Sequence, residues 1–384
     1  MRLQSFTAFS SIVVTSLALL AAGCNGAPSS DVGTTSEELS GPGAGATDQR
    51  RPELGGDLTL LRRSKISLAH GVAQAEGDNG PVIEAKFELD DNHNLSLSLY
   101  PAGKSLDFDS ERNVFQELSG DPTASPFTGG LEVFADQEHL TRSSRDLTLR
   151  QLSRRSVADA IHAGERYGTV YWTIPTIRHG RAGYGVYYTP DGHKQRWMFV
   201  DGAGSDECTG DDPEDLGAGP GRAATDARVP ELGDDLSILK QSKTSLAAGV
   251  AQVERESGPV VEAKFELGDD KKLSLSIYPV GKGLRTDAER NTFFEASGDP
   301  TASAFAPNVV EFKAPDAAHL TRSARDLTLA QTASLGLRDA IEVAQSAMPD
   351  GVVFWAIPTI RETRAGYGVY VYGTDGKAHY FFIS

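Results

Sequence analysis

Cysteine occurs only twice in 384 residues, at Cys24 and Cys208, so no disulfide framework can staple this chain. The motifs C-x-x-C, H-E-x-x-H and G-x-S-x-G are all missing, which removes the usual zinc and hydrolase readings. Basic residues are also in deficit. Lys and Arg number 37 against 53 Asp and Glu, a net charge of −16, and the resulting field repels phosphate backbones. With no basic stripe interleaved with aromatics, nucleic-acid binding is not expected. The acidic run Asp211 to Asp215 lacks the spacing and glycine of a calcium loop. No cofactor and no metal are expected.

What the chain does contain, it contains twice. Glu53-Leu54-Gly55 returns as Glu231-Leu232-Gly233, and the string from Ser119 to Ser125 returns unchanged from Ser297 to Ser303. Both pairs lie 178 residues apart, 232 minus 54 and 297 minus 119. Further on, Arg142 matches Arg322 and Trp172 matches Trp355, with small insertions where loops are expected. A composition of 39% hydrophobic residues suits globular domains. The expected organisation is therefore two homologous blocks, residues 51–201 and 229–384. A tether precedes them at 25–50, and an acidic Gly/Pro-rich linker separates them at 202–228.

Residues 1–24 read as an address. Arg2 supplies a positive start, the stretch from Ile12 to Leu20 is apolar, and Ala21-Ala22-Gly23-Cys24 closes it with small residues. That ending resembles a bacterial lipobox. It implies a lipid-modified Cys24, membrane attachment through that anchor alone, and an outer-membrane or cell-surface address. Cys208 then remains as the one thiol, in the linker. Two flexible connections imply that the blocks move independently, the first held on the order of 80 Å from the lipid at about 3.3 Å per residue.

Within the first block, the apolar spacing predicts a helix over Ser64 to Glu76, then strands Val82–Leu89 and Leu95–Leu99 joined at Asp90-Asp91-Asn92. A short amphipathic helix is predicted over Asp109 to Leu118, a strand over Leu131–Phe134, and extended chain around Leu147 to Leu149. Ser156 would cap a helix from Val157 to Arg166. Strands Thr169–Ile177, Ala182–Thr189 and Gln195–Val200 follow, the last two turned by Pro190-Asp191-Gly192, with Thr374-Asp375-Gly376 as its counterpart. The fold class is α+β, two helix-plus-antiparallel-sheet passes per block.

The stretches from Asp159-Ala160-Ile161 through Tyr184-Gly185-Val186-Tyr187 to Phe199-Val200-Asp201, and from Asp339-Ala340-Ile341 through Tyr367-Gly368-Val369-Tyr370 to Phe381-Phe382-Ile383, resemble the PepSY domain. The strands at Val82 to Phe87 and Val260 to Phe265 resemble it more loosely. Neither block ends in the Asp-Ala-x-Thr-Gly frequent in that family. The resemblance implies four PepSY-like units and a non-enzymatic module that binds a protein partner, such as a peptidase that it inhibits or regulates.

Candidate partner-binding residues are the recurring aromatics and arginines: Trp172, Arg178, Tyr184 and Tyr187, with Trp355, Arg361, Tyr367 and Tyr370. Tyr and Arg are favoured at binding hot spots. The glycines around Tyr184 and Tyr367 would let another chain approach an exposed platform. The alternative is that these rings fill the core. A second reading is an enzyme using His139 and His319, each in H-L-T-R-S with Asp136 or Asp316 and Ser143 or Ser323 nearby. A third is a structural envelope protein with no discrete site. Lys86, Lys264, Arg112 and Arg290 also recur, and alternation of charged with apolar residues places them on a wet face.

Overall fold

Strands Val82–Leu89 (β1) and Leu95–Pro101 (β2) pair antiparallel as their alternation predicts, with Phe87 opposite Leu97 and Ala85 opposite Leu99. The turn between them is held by the Asp90 carboxylate, which accepts from the backbone N–H groups of Asn92 and Asn94. The computed structural model describes residues 58–203 and 236–384 except 269, together with Arg50, Pro52, Leu54 and Leu232. The leader, most of the tether and nearly all of the linker lie outside these residues.

Helix α1 (Leu68–Asn79) starts four residues later than its apolar stripe suggested, because Ser67 caps it by accepting from His70 N–H at 3.2 Å. Strands β3 (Gln116–Gly120) and β4 (Gly130–Val133) extend the hairpin outward. Helices α2 (Gln137–Leu152) and α3 (Val157–Glu165) follow, then strands β5 (Thr169–Arg178), β6 (Arg181–Thr189) and β7 (Arg196–Asp201). Because β1 also pairs with β5, the two passes join in one seven-stranded antiparallel sheet of order β4-β3-β2-β1-β5-β6-β7. Ser156 caps α3, in a full capping box with Asp159.

The second half repeats this element order: α4 (Leu246–Ser257), β8 (Val260–Leu267), β9 (Leu273–Pro279), β10 (Phe294–Gly298), β11 (Asn308–Glu311), α5 (Ala317–Thr332), α6 (Leu337–Ala347), β12 (Val352–Arg361), β13 (Arg364–Tyr372) and β14 (Ala378–Ile383). Its sheet runs β11-β10-β9-β8-β12-β13-β14. The architecture is α+β with two such sheets.

Two sequence expectations fail here for identifiable reasons. Asp109 to Leu118 is not a helix beyond a single 3₁₀ turn at Ser110–Arg112. Asn113 interrupts it, accepting from Lys104 N–H and Val114 N–H and donating to the Ser105 carbonyl, so its side chain competes with helical bonding. The chain then pairs with β2, Leu118 opposite Leu99. Leu147 to Leu149 is helical, inside α2. Asp136 caps that helix through His139 N–H, and the Thr141 and Thr148 hydroxyls donate to Gln137 and Ser144 carbonyls within it, which reconciles these β-branched residues with a helix.

Each sheet is covered on both faces. Leu68, Val72 and Ala75 of α1 and Val157, Ala160 and Ile161 of α3 join Phe87, Leu97, Leu99 and Val186 in one core. Leu140 and Leu147 of α2 make a second with Ile83, Tyr100, Phe115 and Phe134. A bulge between Val82 and Glu84 lets neighbouring residues both reach the α2 layer: Ile83 joins that cluster, and Glu84 shares Arg50 with Asp146 of α2. Lys86 is therefore buried, contrary to the wet-face expectation.

The halves are packed together, which overturns the expectation of independent motion. Helices α2 and α5 run against each other. Ser144 and Ser110 both donate to the Thr321 carbonyl, at 2.5 and 3.0 Å, and Arg145 Nε lies 3.8 Å from Asp287. A shared apolar cluster of Leu149, Leu152 and Ile177 with Leu329 and Ile360 seals one end of the junction. Truncating Leu329 to Ala should cost about 2–5 kcal/mol and lower the stability of both halves together. Calorimetry of the full chain checks this: two resolved transitions, with only one shifted by the change, would contradict the packed junction.

Candidate functional site

The junction gathers buried charge. Arg50 donates to Glu84 at 3.0 Å and forks onto both oxygens of Asp146 at 3.0 and 3.1 Å. Asp146 also accepts from Arg145 at 2.8 Å, whose guanidinium donates to the Pro175 carbonyl in β5. Trp172 donates its indole N–H to the other Glu84 oxygen at 2.8 Å. The guanidinium of Arg142 and the ammonium of Lys86 both lie over the Tyr100 ring, at 5.5 and 5.7 Å. The second half repeats the pattern: Trp355 to Glu262 at 2.9 Å, Arg325 to Asp326 at 3.1 Å, and Arg322 over Tyr278 at 5.4 Å.

Burial pulls the two first-half carboxyls apart in acidity. Desolvation is the largest influence on both. At Glu84 it is outweighed by Arg50, Arg142 and Lys86, and the carboxyl is held below its usual range. At Asp146 desolvation wins over Arg50 and Arg145, and the carboxyl is pushed up to about 7. Arg142, drawn to Glu84, is held protonated more firmly still.

The tether expected over 25–50 ends at Arg50, whose bonds instead fix it to the folded body. Sequence reasoning also passed over Glu84, Arg145 and Asp146. The available signal was recurrence: Arg145-Asp146 returns as Arg325-Asp326 and Glu84 as Glu262.

The aromatic candidates do not form an exposed platform. Trp172, Tyr184, Tyr187, Trp355, Tyr367 and Tyr370 are all buried. Trp172 stacks on Tyr187 at 4.8 Å and Trp355 on Tyr370 at 5.0 Å, while the Tyr184 hydroxyl donates to the Arg155 carbonyl. Gly185 and Gly368 make room for rings, since a Cβ there would sit 2.8 Å from Trp197 and 2.8 Å from Tyr380. Arg178 and Arg361, half-buried, lie over Trp197 at 5.3 Å and Phe382 at 5.8 Å. These aromatics pack the sheets.

His139 and His319 each hold an acid, Asp136 at 2.7 Å and Asp316 at 2.6 Å. Each ring stacks on a phenylalanine, Phe134 or Phe312, at 4.6 and 4.8 Å. No bond joins Ser143 to His139 or Ser323 to His319. The dyads lie at the surface, and their geometry is that of helix N-termini braced on the sheet. Cys24 and Cys208 fall outside the described residues.

Exposed apolar side chains concentrate at one edge of each sheet. All four residues of β4 are exposed, with Leu131 and Val133 bare, and Val309 and Val310 of β11 are similarly bare. Both strands terminate their sheets. On the first edge Glu132 stands directly opposite Glu117, a like-charge pair that is unfavourable across neighbouring strands.

Comparison with protein-family models, with curated proteins and with solved structures returns no match.

The raised Asp146 carboxyl has a measurable consequence. Its folded value of about 7 exceeds the ordinary 3.8, so its contribution to stability is fully present below about pH 4 and is lost as pH rises through 7. Asp146→Asn should remove that dependence. Melting temperatures of both proteins between pH 5 and 8 test it: parallel curves would show that Asp146 is ionised throughout.

Proposed function

We propose that this chain is an exported, lipid-anchored, non-catalytic protein that binds an extended segment of a protein partner along the outer edge of its first sheet. The observation that carries this reading is β4, a terminal strand whose backbone donors and acceptors face no further strand and whose Leu131 and Val133 are bare. A partner strand added there gains main-chain hydrogen bonds and apolar contact. The Glu117–Glu132 pair favours a segment in which basic residues alternate with apolar ones, since a cation between two carboxylates relieves their repulsion.

The PepSY-like stretches support the choice of partner class, a peptidase that the bound protein restrains. The small-small-Gly-Cys ending at Cys24 supports the membrane anchor. Strand β11 lacks the paired acids: Glu295 faces Val310, and Glu311 is engaged by Lys313. The second edge therefore takes a less basic segment than the first.

Fluorescence anisotropy with two synthetic peptides tests the proposal, one alternating Val with Lys and one alternating Val with Glu. The Val/Lys peptide should bind, and Glu132→Lys should weaken it by roughly tenfold, about 1.4 kcal/mol. Replacing Leu131 and Val133 together with Ser should weaken it further, since each apolar side chain contributes about 1.5–3 kcal/mol when fully covered. Equal binding of the two peptides, or indifference to Glu132→Lys, would refute the edge as the docking surface.

A further inference from the structure

Beside the buried charges of the junction lies a pocket of about 380 Å³, within the range of small-ligand sites. Its walls come from both halves: Glu84, Lys86, Glu138, Arg142 and Trp172 from the first, and Glu289 from the second. Most of these charges are already committed. Glu84 accepts from Trp172 and Arg50, and Lys86 pairs with Glu88 at 2.5 Å. Arg142 and Glu138 differ. Among the described residues Arg142 lies over the Tyr100 ring and feels Glu84 through space, but it makes no hydrogen bond to an acid, and Glu138 makes none to a cation.

These two residues sit one turn apart on α2, acid before base. That is the spacing and order at which Glu and Arg ordinarily pair on a helix surface, yet no ion pair joins them and both line the pocket. With Arg50 included, the lining carries three cations and three carboxylates, so neither a simple anion nor a simple cation is favoured over water. A molecule carrying an ammonium and a carboxylate on the same carbon is favoured. We infer that this pocket takes the zwitterionic head of a free α-amino acid, its carboxylate on the planar fork of Arg142 and its ammonium on Glu138, with the Trp172 indole as the apolar wall.

The second half carries Ala318 where the first has Glu138, although Arg322, Glu262 and Trp355 recur. The ammonium acceptor is thus missing there, and the site belongs to the first half alone. Sensing a small molecule at the seam between halves is separate from strand addition at β4, which lies at the far edge of the sheet, so either can fail without the other.

Titration calorimetry on the full chain tests this with the standard amino acids individually, and with acetate and methylammonium as single-charge probes. At least one amino acid should bind saturably at millimolar concentration, with both single-charge probes roughly tenfold weaker or more. Glu138→Gln, at an exposed position that leaves the fold intact, should lower the affinity about tenfold, and Arg142→Gln at least as much. Arg322→Gln should leave it unchanged. Acetate binding as tightly as the amino acid, an unaffected Glu138→Gln protein, or no saturable heat with any amino acid would overturn the assignment.

Discussion

Charge removed from water between α2 and α5 is the constraint to which the rest of this molecule answers. Arg145 and Asp146 are adjacent in sequence and fully buried, as are Arg325 and Asp326. Such groups are tolerable inside a protein only when each finds several partners at good geometry. The partners are supplied from far along the chain: Arg50 from the N-terminal side, the Pro175 carbonyl from β5, and Asp287 from the other half. Satisfying the charges therefore draws the two sheets together, and the apolar cluster around Leu329 and Ile360 closes over what remains.

A junction of this kind specifies geometry more than it supplies stability. Apolar residues of the same volume would hold two helices at least as firmly. Buried polar groups add an exacting alignment, because a slip of one turn would part Arg145 from Asp287 and Ser144 from the Thr321 carbonyl. The same demand explains why Trp172 and Trp355 are placed edge-on to Glu84 and Glu262. Their rings pack the sheet while their N–H groups donate to a buried carboxylate. A recurring aromatic that looks like a recognition residue is here a partner for a buried acid.

Legibility in the sequence followed the range of the interactions concerned. Hairpin β1–β2, the Ser156 cap and the strands from Thr169 to Asp201 depend on neighbours within a few residues, and alternation, cap and turn chemistry reveal them. The stretch from Asp109 to Leu118 has helical spacing, but its outcome is decided by Asn113 and by the open edge of β2, which no local pattern displays. Leu147 to Leu149 sits among threonines and reads as extended, whereas the helix is secured by hydroxyls folding back on it and by a second helix from the other half. Lys86 and Glu84 alternate with apolar residues as on a wet sheet face, and only the arrival of α2 buries them. The exposed strand β4 was legible as a strand, though nothing local marked it as the last in its sheet.

The grip of Arg50 on Glu84 and Asp146 also fixes where the chain enters the folded body. Any pull transmitted from the N-terminal side is delivered to a guanidinium fork at the seam, not to a loose end. Load applied there acts in shear on two ionic contacts before it reaches a strand, so the first event under tension is the parting of Arg50 from its two acids. Those contacts lie against the wall that carries Arg142 and Trp172.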